Sequence, residues 1–299
     1  MVSNTVSYKI LLKNLTDKEK VLGEKHNFII HTDSWYWEAA PILKELISVI
    51  KKGERLQSDK DDNYWNRIFT SLGLLLELSG VLDVLDLIEP ENLKIFLLKL
   101  KLIFKSPLLM NEEDTDTNLG RNALFELGLF SRFMMSGYDA KLHYEHPDIS
   151  VRIDAREYDI ECKRLYKPET LIKNTKAALD QLLEYSIYQP KPEGLHGRYG
   201  IVAVSLSRYF HPGDMLFDAT TEEKAKERIN YEMKKVFDDN EEELRRLFPV
   251  KVPALILHYS DRGSIDKPYI YNFIDLHETA RAGSYSHFKQ LMEDFKNFK

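Results

Sequence analysis

The chain has 299 residues, of which 43% are hydrophobic and 30% charged, with 13 glycines and 11 prolines. This composition excludes collagen-like, low-complexity and disordered chains and suits one large domain or two modest ones. The single cysteine, Cys162, excludes an internal disulfide framework and a zinc site built from several thiolates, so a reducing, cytoplasmic location is expected. A net charge of -6 argues against a surface coated with phosphate-binding charge, although a local basic surface can still attract a polyanion.

The N-terminal part of the sequence is predicted to be all-helical, because apolar residues recur there at spacings of three and four. Thr16 begins a capping-box sequence, which predicts the start of a helix. Further helices are predicted over residues 35–52, 64–88 and 91–105. The most apolar stretch, residues 72–88, is interrupted by acidic residues, so it is interpreted as a core helix and no membrane span is expected.

An acidic stretch at residues 111–118 predicts a boundary between a helical region (1–115) and an α/β domain (116–299). The second region is predicted to contain these elements: a helix over 119–135, strands over 141–145, 148–153 and 158–163, a helix over 168–188, a strand over 200–206, a charged helical segment within 214–248, strands over 254–259 and 269–276, and a helix over 284–298. The expected fold class is therefore α/β (α+β), with the order α, β, β, β, α, β after the helical N-terminal region.

Three side chains on the predicted hairpin suggest a chemistry. Asp148 begins a strand, and Glu161 and Lys163 lie two residues apart on the next strand, so these two share one face of the sheet. Closure of the hairpin brings Asp148 opposite the end of the second strand, close to Glu161. Two carboxylates and a nearby backbone carbonyl, that of Cys162, suit Mg²⁺. A cation and an adjacent lysine are what phosphodiester hydrolysis requires.

These residues resemble the signature of the PD-(D/E)xK nuclease superfamily. Pro147 and Asp148, followed by Glu161, Cys162 and Lys163, match its motif in the α, β, β, β, α, β order of the family's restriction-endonuclease-like core. The resemblance implies that Asp148, Glu161 and the Cys162 carbonyl hold Mg²⁺, or Mn²⁺ in its place. It implies that Lys163 orients or helps to deprotonate the attacking water and stabilises the developing charge, and that the product carries a 5′-phosphate.

The resemblance covers roughly residues 119–210 and extends to two helices. In this family a glutamate on the helix before the first strand often joins the metal site; Glu126 matches it, where it would position a second metal ion or its water. Gln181 and Tyr185 match the Gln-x-x-x-Tyr element of the RecB-like branch, in which these residues help to position substrate and active-site groups. Their spacing of four places both on one helical face.

Each of these residues also has a structural interpretation. Glu161 and Lys163 fit a charged pair on a solvated strand, which contributes little to stability. Glu126 interrupts an apolar stripe and fits a side chain that simply faces solvent. Gln181 and Tyr185 fit a polar pair at the edge of an amphipathic helix.

Other catalytic classes lack their signatures in this sequence. His143 and His146 are three residues apart in a predicted strand, so they are expected on opposite faces, which does not suit zinc ligands. The P-loop, HExxH and GxSxG motifs are absent. Nucleotide hydrolysis by a P-loop, zincin proteolysis and α/β-hydrolase chemistry are therefore not expected.

Basic residues follow the predicted site. Residues 163–176 include five basic side chains and one acidic one, and Arg164, Lys167 and Lys173 are expected to contact phosphates. A solvated helix start explains the same residues equally well.

The sequence as a whole predicts a Mg²⁺-dependent nuclease that acts on DNA in restriction, phage defence or repair. RNA stays open as the substrate, because a metal site recognises phosphate rather than sugar. The alternative from another class is a catalytically silent, nuclease-like module for nucleic-acid binding or assembly. In either case the helical N-terminal region is expected to serve substrate recognition, self-association or contact with a partner protein.

Overall fold

The protein is described here by a computed structural model, which confirms the predicted mixed α/β class. The described residues are 8–52, 62–109, 112, 118–153, 156–165, 167–187, 198–207, 217–218, 222–249, 252, 254–265 and 267–278.

The N-terminal part of the described chain is helical, as the apolar periodicity predicts. Its helices are α1 (Tyr8–His26), α2 (Trp35–Lys52), α3 (Asp62–Leu82) and α4 (Pro90–Lys105). The predicted helix start at Thr16 is wrong, because α1 already spans this residue, and Thr16 Oγ1 donates a 2.9 Å hydrogen bond back to Leu12 O. Across the described helices, none combines the length and the apolarity needed to cross a membrane.

The rest of the described chain contains both helices and strands. In order these are α5 (Leu119–Met135), β1 (Asp139–Leu142), β2 (Ile149–Ile153), β3 (Arg156–Arg164), α6 (Leu171–Leu182), β4 (Arg198–Ser205), β5 (Phe217–Asp218), α7 (Glu222–Leu247), β6 (Ala254–Ile265) and β7 (Lys267–Glu278). The described strands form one seven-stranded sheet of order β1-β2-β3-β4-β6-β5, in which β7 also pairs with β6. Strands β1 to β3 are antiparallel, and β4 runs parallel to β3 and β6.

Two predicted elements around the hairpin differ from the structure. The first strand ends at Leu142 rather than at residue 145, because the chain bends there and the His143 N–H donates a 3.1 Å hydrogen bond to Asp148 O. The predicted helix over residues 168–188 is divided: a 3₁₀ turn (Pro168–Thr170) precedes α6 and a π turn (Leu183–Ile187) follows it. The predicted final helix lies outside the described residues.

Hydrophobic clusters cover both faces of the sheet. The first contains residues of α1 to α5 together with Tyr158 and Cys162 of β3, so it includes residues from before and after the predicted domain boundary. The second contains residues of α6 and α7 and Val202 of β4. Since side chains alternate along a strand and Glu161 pairs with Val202, Glu161 and Lys163 belong to the face covered by α6.

Helix α4 is fixed to the sheet and to α5. The buried Asn92 side chain donates to Ala140 O at 3.2 Å and accepts from the Leu142 N–H at 2.8 Å, so it pairs with both edge groups of β1. Near the other end of α4, a Cβ added to Gly120 of α5 would lie 2.5 Å from Leu102 O. The two helices therefore approach more closely there than any residue with a side chain allows.

Candidate active site

The hairpin register brings Asp148 to the end of β3. Ile149 pairs with Ile160 in the antiparallel ladder, so Asp148, the residue before β2, comes next to Glu161. Asp148 Oδ2 accepts a 2.7 Å hydrogen bond from the Cys162 backbone N–H. This bond holds the Asp148 carboxylate against the strand that carries Glu161 and Lys163, which is the juxtaposition that the sequence predicts.

Glu161 is completely buried, and its two carboxylate oxygens differ. Oε1 accepts a 2.9 Å hydrogen bond from Lys163 Nζ and lies 2.8 Å from His146 Nδ1. Oε2 is buried and has no hydrogen-bond partner among the described residues. The alternative of a solvated surface pair for Glu161 and Lys163 is therefore wrong, because the carboxylate has no access to solvent.

Glu126 approaches from α5 and pairs with a lysine of α4. Lys99 Nζ donates a hydrogen bond to Glu126 Oε2, and the two side chains are only 14% and 13% exposed. Glu126 therefore does not simply face solvent, which was the structural alternative for this residue. Because α5 packs on the Cys162 face of the sheet, Glu126 and Glu161 flank the end of the hairpin from opposite faces.

Burial and the charge of Asp148 disfavour ionisation of the two glutamates of this site. Burial, and then the charge of Asp148, raise the pKa of Glu126 to about 7, although Lys99 opposes the shift. Burial and Asp148 also raise the pKa of Glu161 against the effect of Lys163 and His146. Two glutamates whose pKa values are raised by burial and by a neighbouring carboxylate form a site that a cation would stabilise.

Lys99 and Lys163 neutralise part of this negative charge. Burial alone would lower the pKa of Lys99, but Glu126 and, after it, Asp148 hold that pKa above its ordinary value, so the side chain is an ammonium. Lys163 faces Glu161 from the same strand. Each of the two glutamates therefore has one lysine, and Asp148 has its backbone hydrogen bond from Cys162.

His146 links the carboxylate site to α6 and the π turn. With Nδ1 donating to Glu161 Oε1, its Nε2 accepts from the Gln181 side-chain amide at 2.8 Å. The Tyr185 ring lies over His146, with the centroids 5.4 Å apart. Gln181 and Tyr185 are therefore more than a polar pair at a helix edge, since both contact the histidine that contacts Glu161.

The predicted phosphate-binding residues divide by exposure. Arg164 is buried at the end of β3, whereas Lys167 and Lys173 are exposed, before α6 and in its first turn. Lys167 and Lys173 are thus accessible to a polyanion.

The donor chemistry suits a hard divalent cation. Asp148, Glu161 and the Cys162 carbonyl provide oxygen ligands, and the buried Glu161 Oε2 has no other partner in the described part of the chain. Within that same part, no three His, Cys, Asp or Glu side chains are already arranged to hold a metal ion. The residues that fit Mg²⁺ are therefore two carboxylates completed by a backbone carbonyl.

Lys99 and His146 are the site residues that the sequence interpretation missed. Lys99 lies on the same face of α4 as the buried residues Asn92, Phe96 and Ile103, and a lysine in such a stripe is the signal that could have identified it. His146 directly precedes the Pro147-Asp148 motif. The sequence predicts a strand at His146, whereas β1 ends at Leu142, before this residue.

No protein-family model matches the chain, and a comparison with curated proteins finds no match. The function must therefore be inferred from the side chains of the site.

Proposed function

We propose that the protein is a metal-dependent nuclease that hydrolyses DNA phosphodiester bonds with Mg²⁺ or Mn²⁺. The observation that carries the proposal is the fully buried Glu161, whose Oε2 has no partner in the described residues while Asp148 and Lys163 lie beside it. An unpartnered buried polar atom costs about 1–3 kcal/mol, and more when it is charged. A cation bound at this oxygen would offset that cost.

The chain order α5, β1, β2, β3, α6, β4 supports the proposal, because three antiparallel strands and a parallel fourth beside β3 resemble the restriction-endonuclease-like core. We assign the nuclease domain to residues 116–299 and recognition or assembly to residues 1–115. This division follows the composition change along the sequence.

Asp148, Glu161 and the Cys162 carbonyl would hold the metal ion. When bound, the ion supplies Lewis-acid polarisation of a phosphoryl oxygen and lowers the pKa of a water molecule. Lys163 Nζ, held by its 2.9 Å hydrogen bond to Glu161, would orient the attacking water and donate to the oxygens that gain charge.

His146, Gln181 and Tyr185 would position the substrate. His146 is held between Glu161 and Gln181, and its side chain is 34% exposed. Tyr185 is 48% exposed and offers a face for stacking against a base, a contact that tolerates any sequence. Lys167 and Lys173 would contact backbone phosphates.

The testing experiment incubates the purified full chain with supercoiled plasmid, linear double- and single-stranded DNA, and RNA, in Mg²⁺, Mn²⁺ or EDTA. Lys163→Met is the test variant, and Lys9→Met, an exposed lysine of α1, is its matched control. We expect cleavage that EDTA abolishes, that Lys163→Met lowers about 10²–10⁴-fold, and that the control retains. The products should carry 5′-phosphates.

Three results would change the proposal. Undiminished cleavage by Lys163→Met would show that the reaction occurs elsewhere. Cleavage of RNA alone would change the substrate class and keep the site. Absence of cleavage with every substrate, together with binding to DNA, would favour the catalytically silent binding module.

A further inference from the structure

We propose that Lys99 takes the place of a second metal ion, so that this site works with one bound cation. The inference rests on the proposed nuclease function and concerns how its site is completed. Lys99 belongs to α4, so the helical N-terminal region supplies part of the active site. It is a positioning residue, because it acts through Glu126, to which its Nζ donates a hydrogen bond and whose charge it balances.

The first support is the geometry of the Lys99–Glu126 pair. Lys99 Nζ donates to Glu126 Oε2, and both side chains are largely removed from solvent. Removing one member of such a pair leaves an uncompensated charge in a poorly hydrated place, which is strongly unfavourable. A metal ion that recruited Glu126 would have to separate the pair and leave the ammonium without its carboxylate.

The second support is the way in which α4 is held. Asn92 bonds to both edge groups of β1, and Lys99 follows seven residues later, two helical turns along the same face. Near the C-terminal end of α4, the close approach at Gly120 fixes its distance from α5, which carries Glu126. Lys99 is therefore carried by a helix anchored on both sides of it.

The third support is the number of carboxylates that remain. With Glu126 paired to Lys99, the site offers Asp148 and Glu161, and Glu161 has one buried oxygen without a partner in the described residues. Two carboxylates neutralise one divalent cation. A second such ion beside the Lys99 ammonium would meet direct repulsion at short range.

The test counts bound Mn²⁺ in the full-length protein by electron paramagnetic resonance of the free ion during titration. The wild type should bind one ion at the site. Lys99→Met should bind two, because the freed Glu126 carboxylate becomes a ligand, and Lys99→Met/Glu126→Gln should return to one. Lys99→Arg, which keeps the charge, and Lys101→Met, an exposed neighbour on the same helix, should bind one.

Cleavage provides a second readout. The Mg²⁺ dependence should be first order in the wild type and steeper in Lys99→Met. That variant should need about 10–100-fold more Mg²⁺ for half-maximal cleavage, as expected when a group that orients a ligand is lost. Its maximal rate should recover at high Mg²⁺, whereas a merely structural role for Lys99 predicts a loss that Mg²⁺ does not rescue.

The outcomes separate this inference from the proposed function. Two ions in the wild type, with cleavage that still depends on Lys163, would overturn the inference alone. One ion in both the wild type and a folded Lys99→Met, at equal affinity, would overturn it too. No bound Mn²⁺ in the wild type would overturn both proposals. If Lys99→Met fails to fold by circular dichroism, the wild-type count decides, with Lys99→Arg as its check.

Discussion

Asp159 and Glu161 lie two residues apart on β3, on the same face and equally buried, yet their surroundings differ. Asp159 accepts a 2.5 Å hydrogen bond from Ser150 Oγ through one oxygen and lies 3.4 Å from Arg198 Nε through the other. Glu161 has partners on Oε1, whereas its Oε2 has none among the described residues. Asp159 thus links β2, β3 and β4, and Glu161 keeps an oxygen available to a ligand.

A buried carboxylate is therefore not by itself evidence of a functional site. The network around Asp159 continues to His143, whose Nε2 lies 2.8 Å from Ser150 Oγ, and to Glu157, which accepts from Arg198 Nε at 3.2 Å. Such a network ties neighbouring strands together through partnered polar groups. What distinguishes Glu161 is an oxygen that has no partner in the described part of the chain, close to a second carboxylate, that of Asp148.

The largest expected effect comes from neutralising each of these carboxylates in turn. Glu161→Gln should lower cleavage about 10²–10³-fold, because a ligand of the cation is lost. It should leave the metal-free protein as stable as the wild type or more so, because burial and Asp148 already disfavour the ionised Glu161. Urea unfolding in EDTA and cleavage assays measure the two quantities.

Asp159→Asn should show the opposite pattern. Loss of its charged contacts to Ser150 and Arg198 should lower the free energy of unfolding by about 1.5–3 kcal/mol. Cleavage by the folded variant should stay within a few-fold of the wild type. A stable but inactive Asp159→Asn, or an active but unstable Glu161→Gln, would exchange the two roles. The active site would then lie at Asp159 rather than at Glu161 on β3.

Glu126 is a third carboxylate of this region, and its raised pKa predicts that stability depends on pH. Its pKa is about 7 in the folded protein and ordinarily 4.5. The folded state therefore binds this proton more tightly than the unfolded state, so stability falls as pH rises from about 4.5 to 7. The fall amounts to about 3 kcal/mol and is complete above about pH 7.

Glu126→Gln should lack this component. Urea unfolding in EDTA at about pH 5 and pH 8 should show a larger loss of stability in the wild type than in the variant. Equal losses in the two proteins would mean that Glu126 titrates in its ordinary range, so that burial and Asp148 do not act on it as the structure indicates.

The approach of α4 to α5, which sets the Lys99–Glu126 pair, can be tested with two glycines of α5. Gly120→Ala should lower the free energy of unfolding by about 1–3 kcal/mol, because the added Cβ would lie 2.5 Å from Leu102 O. The Cβ added by Gly128→Ala would have no neighbouring atom within 4 Å, so this substitution should raise the free energy of unfolding by about 0.5–1 kcal/mol. Thermal or urea unfolding compares them, and equal effects would show that the helices are not in close contact at Gly120.

The hairpin of the site could be predicted from the sequence because its geometry is local. Antiparallel pairing and a short connection place Asp148 beside Glu161 wherever the rest of the chain lies. The bounds of α5 were predicted correctly for a similar reason, since apolar periodicity marks a helix that packs along its whole length.

The place of Lys99 in the site and the hydrogen-bond and charge partners of Asp159 could not be predicted in the same way. Both depend on contacts between residues that are far apart in the sequence. Lys99 meets Glu126, 27 residues away, only once α4 and α5 pack together. Asp159 and Glu161 are both acidic residues on a half-apolar strand, and nothing local shows that Arg198, from a strand beyond α6, reaches Asp159. The prediction that His146 lies in a strand is wrong because the end of β1 is set by the hydrogen bond from the His143 N–H to Asp148 O.

The smallest expected effect concerns charge outside the buried carboxylates, at Lys167 and Lys173. If both contact phosphates, their replacement by Ala should weaken DNA binding at low salt and reduce the slope of log K against log salt by about 1.8, or 0.9 for each contact. The same double replacement at Lys9 and Lys13, two exposed lysines of α1, should leave the slope unchanged. Fluorescence anisotropy at several salt concentrations, in Ca²⁺ or EDTA to prevent cleavage, measures both slopes. Equal reductions of the slope in the two double variants would indicate that DNA binding depends only on the net charge of the protein. A reduction confined to the variant at Lys167 and Lys173 would place the phosphate backbone beside the start of α6.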